Sequence, residues 1–550
     1  MLCGSMCPQG CNCSHDDSRT VHCRAIRLVD LPALLDPRTR SLILKECQIQ
    51  KLDPDILELY PDLESLDLSG NKIETLQSGH FRFQTSLKEL KLRRNRISRI
   101  QRGAFVGLGN LEVLDLSGNR IVDIENDALQ ELQSLKLLDL GVNTLPGFNT
   151  DTLNGLINVK TLNVSKNRFQ SFDLTSLKHV PQLQNLDLSH NLISEIKISG
   201  MSQIQHNSLL RLNLSSNLLS TIDDSTFASV TQLRQLSLDN NMIRSVAALG
   251  LRQLFTLEEL DLSWNSIESI GTSSFDGLGN LKKLCLSHLH DLRSIELNAF
   301  SGLNSLQVVD LSSCYSLRSI DDSAFETSDK LEYLDLSFCN LQHLHSQLIN
   351  WFRLKTLRLN GNPLHCDNDL LNYLPAVLRH FHINIPCASP VELSHQNIAH
   401  LKPQKISDSR IGLLLGIVGL LTFLTVVAVT AYCLYEKKIK SRQKLAIPTY
   451  TPSSLINSTT YDKGELLAKQ IFYSPSEFSA CTVSTSDEGE HYSSPIYPTE
   501  SEQIYETPHP PSQLLGSNLP KMALVDGVEP VLALNGFCRV LPYSCVTAER

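Results

Sequence analysis

Leu63-Glu-Ser-Leu-Asp-Leu-Ser-Gly-Asn71 recurs as Leu111-Glu-Val-Leu-Asp-Leu-Ser-Gly-Asn119, Leu183-Gln-Asn-Leu-Asp-Leu-Ser-His-Asn191 and Leu257-Glu-Glu-Leu-Asp-Leu-Ser-Trp-Asn265. The shared pattern is L-x-x-L-x-L-x-x-N. Its last position falls at Cys47, Asn71, Asn95, Asn119, Asn143, Asn167, Asn191, Asn217, Asn241, Asn265, Leu289, Cys314, Cys339 and Asn362, fourteen units at intervals of 23 to 26 residues. A fixed period of this length marks a stacked-repeat architecture. Each unit has a short strand whose alternation sends the leucines inward and the intervening residue outward. The inward asparagine can bond turn backbone groups that would otherwise be buried unpaired. Ile73, Leu76 and phenylalanines such as Phe105, Phe227, Phe275, Phe300 and Phe325 fill the remaining core. No unit can bury its leucines alone, so the expected fold is an α/β solenoid with a concave parallel sheet.

Composition agrees with that lattice. The chain has 550 residues, of which 97 are leucine and two are tryptophan, and a net charge of -9. Mild acidity offers no basic footprint for nucleic acid. Signatures of enzymes are absent from the sequence: there is no Gly-x-Ser-x-Gly, no His-Glu-x-x-His, no phosphate-binding glycine loop and no kinase set. The expectation is a protein that is not an enzyme and needs no cofactor or metal. His288-Leu-His290 and His343-Leu-His345 have metal-like spacing, but they read as flanking turns, because Leu289 holds the inward position.

Ile411 to Tyr435 is a 25-residue stretch without a charged residue, long enough to span a bilayer as a helix. Lys437, Lys438, Lys440, Arg442 and Lys444 follow it and outweigh Lys402, Lys405 and Arg410 on the other flank. The positive-inside rule then puts the C-terminus in the cytosol and the N-terminal part outside, where disulfides persist. The clusters Cys7, Cys11, Cys13, Cys23 and Cys366, Cys387 therefore read as disulfides rather than zinc ligands. Met1 to Met6 has neither a basic region nor an apolar core, so a mature form or a missing first exon is expected.

Cys7-Pro8 with Cys11, Cys13 and Cys23 before the repeats, and Asn362-Pro363-Leu364-His365-Cys366-Asp367 after them, make the chain resemble extracellular leucine-rich-repeat receptors with cysteine-bounded caps. That resemblance covers residues 7 to about 400 and implies the pairs Cys7–Cys13 and Cys11–Cys23. The family's C-terminal cap usually opens Cys-Asp-Cys and has four cysteines. Here Asn368 stands at the second place and only Cys387 follows, which leaves a single Cys366–Cys387 bridge. The organisation expected is an N-terminal cap over 1–40, fourteen repeats over 41–362, a C-terminal cap and stalk over 363–410, a transmembrane helix over 411–435 and a disordered cytoplasmic tail over 436–550. Cys47, Cys314 and Cys339 occupy the asparagine position and read as buried thiols, with a Cys314–Cys339 bond as the alternative. Cys285 points outward as a candidate reactive thiol, and Cys3 has no assigned partner.

The outward strand position is Asp67, Asp115, Asp139, Asp187, Asp261, Asp310 and Asp335. That column is either a site for calcium or a basic partner, or simply the common form of the repeat. Asn163 and Asn213 at the same position are N-glycosylation sequons, and Asn12 is a third between cap cysteines. Trp264, His288, Tyr333 and Phe338 are large groups on outward positions and form the candidate site for a protein ligand. The basic run Lys88, Lys91, Arg93, Arg94, Arg96, Arg99 and Arg102 is a second candidate, for sulfated glycans or an acidic protein. Gly412 and Gly416 give a GxxxG spacing that lets two helices approach, so a homodimer is an expectation; Cys433 is a candidate for palmitoylation. In the tail, Tyr492-Ser-Ser-Pro495 and Tyr505-Glu-Thr-Pro508 look like ligands for SH2 adaptors and Pro508 to Pro511 like one for SH3 adaptors. Leu466-Leu467 and Tyr543-Ser-Cys-Val546 look like endocytic adaptor signals. The function expected is that of a single-pass type I receptor or adhesion protein of the plasma membrane. It would bind an extracellular or cell-surface protein in adhesion or guidance and signal or traffic through its tail. A matrix-organising membrane protein and an innate immune receptor are the alternatives.

Overall fold

The computed structural model describes residues 7–14, 16, 19–149, 151–197, 208–403 and 408–442. They belong to two units, the repeat stack and the later helix, each taken by itself. Tyr492, Tyr505, Tyr543, Leu466, Leu467 and Cys3 lie outside the described residues.

The stack is built on a 16-stranded sheet. Its first two strands, Cys11–Cys13 and Thr20–Arg24, pair antiparallel. Every later pairing is parallel, from Ser41–Lys45 through Ser65–Asp67 to Thr356–Arg358, one strand for each of the fourteen leucine units. Register is uniform: Leu66 faces Leu42 and Leu90, and Leu260 faces Leu236 and Leu284. These leucines are sealed from solvent. Buried phenylalanines form the second side of the core, with Phe300 stacked between Phe275 and Phe325.

The inward asparagines close the turns. Asn71 Oδ1 accepts from the Cys47 and Ile49 amides, while Nδ2 donates to the Leu44 and Leu68 carbonyls. Asn95, Asn119, Asn143, Asn167 and Asn191 each accept likewise from a turn amide of the preceding unit, those of Ile73, Ile97, Ile121, Leu145 and Phe169. Where cysteine replaces asparagine, the thiol takes over the donor role: Cys314 Sγ donates to the Leu286 carbonyl and Cys339 Sγ to that of Leu311, both at 3.2 Å. Cys47, Cys314 and Cys339 are free and buried. Hydrogen bonding to Cys339, with burial, raises the Cys314 thiol far above its ordinary pKa.

The ends are sealed by disulfides Cys7–Cys13, Cys11–Cys23 and Cys366–Cys387. Behind the last strand, helix Asn368–His380 starts at Asp367, whose carboxylate accepts from the Leu370 amide. It buries Leu370, Leu371, Leu374, Val377 and Leu378 in a core continuous with that of the repeats, where a stack would otherwise leave apolar surface open at its end.

The second unit is helix Asp408–Arg442. Its segment Leu415–Ile439 contains an 18-residue window with a mean hydropathy of 2.3 and is long and apolar enough to cross a membrane. It runs a few residues past the apolar boundary at Tyr435 expected from sequence and into the basic run.

Candidate functional site

The outward aspartates have a local task. Asp67, Asp115, Asp187, Asp261, Asp310 and Asp335 each accept a hydrogen bond from the amide two residues on, at 2.9 to 3.0 Å. Asn163 and Asn213, the two sequon residues, do the same with Ser165 and Ser215. The side chain thus fixes the turn that follows the strand. Stacking also crowds the column, so that Asp67, Asp139, Asp261 and Asp335 are buried. Burial pushes Asp139 up to about 6, against a hydrogen bond from the Gly141 amide. No group of three or more potential metal ligands occurs among the described residues.

Cys285 corrects the outward-thiol expectation. It is 1% exposed and disulfide-bonded. Its place on the strand is outward as the alternation requires, but its sulfur is bonded and is not a reactive thiol.

The aromatic candidates separate into two settings. Trp264, His288 and Phe338 all occupy the turn residue immediately before the inward position, where the backbone is left-handed with φ of 59°, 57° and 56°. Tyr333 instead lies on strand Tyr333–Asp335. Its hydroxyl donates to Asp335 at 3.3 Å and the Arg358 guanidinium sits 5.8 Å from its ring. Burial, with Asp335 nearby, pushes Tyr333 up to about 12.

Trp264 and His288 are in contact, stacked at 4.0 Å with 11° between planes. Two residues that the outward-position reading missed extend the stack. His290 meets the edge of Trp264 at 5.6 Å and stacks on Tyr315 at 5.5 Å. Trp264, Tyr315 and Phe338 are each more than half exposed, as buried core aromatics are not. Desolvation, then the neighbouring His290, lower the His288 pKa, which favours the neutral ring that stacks on Trp264. His288 Nδ1 is buried without a hydrogen-bond partner among the described residues.

The basic run does not form one patch. Lys88 pairs with Glu64 at 2.7 Å, Lys91 with Glu89 at 2.8 Å, Arg99 with Asp123 at 3.3 Å and Arg102 with Asp127 at 3.7 Å. Consecutive residues of one unit travel around its whole circumference, so neighbours in sequence face different ways. The pairs His343–His365 and His380–Phe381 are ring contacts near the C-terminal cap, and His345 Nδ1 lies 3.3 Å from Asp322.

The apolar helix satisfies its threonine hydroxyls locally. Thr422, Thr425 and Thr430 hydroxyls donate to the Gly419, Thr422 and Val427 carbonyls.

The family model for the leucine rich repeat matches residues 37–93, 85–145, 137–193, 197–243, 207–265, 255–315 and 306–364. Together these matches take in more than half of the chain. A curated relative, the leucine-rich repeat and immunoglobulin-like domain-containing nogo receptor-interacting protein 1 of Xenopus tropicalis, is 40% identical over 67 residues. That match covers 12% of this chain and only 11% of the relative. Among solved structures, the LRIM1/APL1C complex is similar with 23% identity and a TM-score of 0.48, over 76% of this chain and 72% of that one. The Toll–Spatzle complex of Drosophila is similar with 19% identity and a TM-score of 0.48, over 68% and 62%.

Proposed function

Because the chain belongs to the leucine-rich-repeat family, we propose that it is a membrane-anchored receptor or adhesion protein that binds a protein partner through its repeats. The observation that carries this reading is the run Trp264–His288–His290–Tyr315. Large aromatic side chains held rigidly at the surface are the usual anchors of protein interfaces. The stack makes these rings rigid before a partner arrives, which lowers the ordering cost of binding. Phe338 and the strand residue Tyr333 complete the proposed contact region. Asn163 and Asn213 are proposed glycan carriers on the sheet face.

Basic residues follow the apolar helix on its C-terminal side, which supports an outside repeat stack and a cytosolic tail at the plasma membrane. In that orientation Tyr492 and Tyr505 would recruit SH2 adaptors, and Leu466-Leu467 and Tyr543 would recruit endocytic adaptors. Adhesion or guidance is the process this combination fits, with a homodimer through the span as an accessory feature.

The test displays the full chain on cells and screens it against secreted and cell-surface proteins. A true partner loses at least tenfold in affinity when Trp264→Ala and Phe338→Ala are combined. A partner that binds this variant with unchanged affinity sinks the aromatic site.

A further inference from the structure

All fourteen units turn at the same place. The residue before the inward position is left-handed throughout, from Glu46, Gly70 and Arg94 to Phe338 and Gly361. That residue and the one after the inward position form a double row along one edge of the sheet. Contacts run along and across the rows. Lys72 Nζ reaches Gln48 Oε1 at 3.3 Å, Asn240 Nδ2 reaches Ser216 Oγ at 3.0 Å, and His290 touches both Trp264 and Tyr315. The edge is one continuous surface.

Its character changes halfway along. Between residues 94 and 168 the rows hold Arg94, Arg96, Arg120, Lys166 and Arg168 and no acidic residue. Arg96 reaches Glu74 at 3.6 Å. Among the described residues, no carboxylate forms an ion pair with Arg94, Arg120, Lys166 or Arg168. From residue 192 onward the rows hold no Lys, Arg, Asp or Glu, and Leu192, Leu218, Met242, Trp264, Tyr315 and Phe338, each 38% to 56% exposed, stand there among serine, asparagine and histidine. The opposite edge is built on another plan. There Lys88–Glu64, Lys136–Glu112, Lys282–Glu258 and Lys355–Glu332 pair between neighbouring units at 2.7 Å. One edge neutralises itself; the other keeps its charge and exposes its apolar groups. Scattered surface apolar residues need no explanation, but a contiguous series does. An unmatched block of one sign attracts its complement. The sequons within the repeats, Asn163 and Asn213, sit on the sheet face and not on this edge.

Resting on the protein-binding reading above, we propose that the partner offers a polypeptide segment laid lengthwise along this turn edge, acidic where it meets Arg94 to Arg168 and aliphatic or aromatic where it meets Leu192 to Phe338. Parallel strands are about 4.8 Å apart, so the edge from Arg94 to Phe338 is about 50 Å long. An extended segment of about 15 residues covers it. A sulfated glycan would match the basic half alone and leave the apolar half bare, which is why a polypeptide is the better fit.

The experiment selects a display library of about 15-residue random peptides against the full chain in detergent micelles. Recovered peptides are expected to segregate carboxylates into one half and apolar residues into the other. Their binding should fall at least tenfold with Arg94→Glu/Arg120→Glu/Lys166→Glu, at least tenfold with Leu192→Ser/Leu218→Ser/Met242→Ser, and further with added salt. Unchanged melting of both variants, whose altered side chains are exposed, confirms that folding is intact. Failure to recover segregated peptides, or binding indifferent to both triple variants, overturns the proposal, as does binding of heparin oligosaccharide alone. Loss with Trp264→Ala/Phe338→Ala but not with the triple variants keeps the aromatic site and removes the edge. The reverse pattern keeps the edge and removes the aromatic site.

Discussion

Asn119 ties two units together: its Oδ1 accepts from the Ile97 amide and its Nδ2 donates to the Leu92 and Leu116 carbonyls. Removing it leaves those groups buried and unmet, so Asn119→Ala should cost on the order of 3 kcal/mol. Asn119→Cys should cost about half as much, because a thiol at this position donates as Cys314 does. Denaturant unfolding of both variants measures the difference; equal losses would mean that the thiol does not substitute. Asp139 makes a pH-dependent case. Its pKa is raised from 3.8 to about 6 by burial, so the unfolded chain ionises it first. Its contribution is present below about pH 4 and is lost as pH rises through about 6. Asp139→Asn should therefore leave stability unchanged near pH 3.5 and raise it by up to about 3 kcal/mol near pH 7. Asn163 already shows that an amide can accept the turn amide at this position. Melting curves of the two chains that stay parallel across that range would reject the assignment.

At the scale of the element, what could be read depended on what periodicity encodes. Strands of three residues such as Leu137–Asp139 carry too little propensity to be recognised singly, yet the repeat period located one for every unit. The leucines, the inward asparagines and the cap cysteines were legible because spacing alone places them. The left-handed turn residue was not, since period says where a residue falls and not which backbone region it occupies. A signal existed: Gly70, Gly118 and Gly361 share that column, and glycine takes positive φ at little cost. Missing it joined Tyr333, a strand residue, to Trp264, His288 and Phe338. It also hid the contacts of His290, which comes beside Trp264 and Tyr315 because all three lie in the turn rows. Cys285 was misjudged for a related reason: alternation gives the direction of a side chain, not whether its thiol is bonded.

At the scale of the whole molecule, the repeats and the apolar helix solve different solvent problems with the same residue. In the stack, leucine is hidden by the next unit, and inward asparagines and outward aspartates meet turn amides such as those of Ile97 and Ser117. Leu415–Ile439 instead leaves its side chains exposed over 25 residues. An α-helix of that length rises about 38 Å, more than the ~30 Å hydrocarbon core of a bilayer. The hydroxyls of Thr422, Thr425 and Thr430 are spent on its own carbonyls, so these side chains call for no water inside the lipid. A bilayer is the solvent in which this surface is stable. The full chain should therefore stay with the membrane pellet after an alkaline carbonate wash, and a chain lacking residues 411–435 should move to the supernatant. Retention of the deleted chain in the pellet would show that anchoring lies elsewhere, because nothing on the charged surface of the repeats resists alkaline extraction.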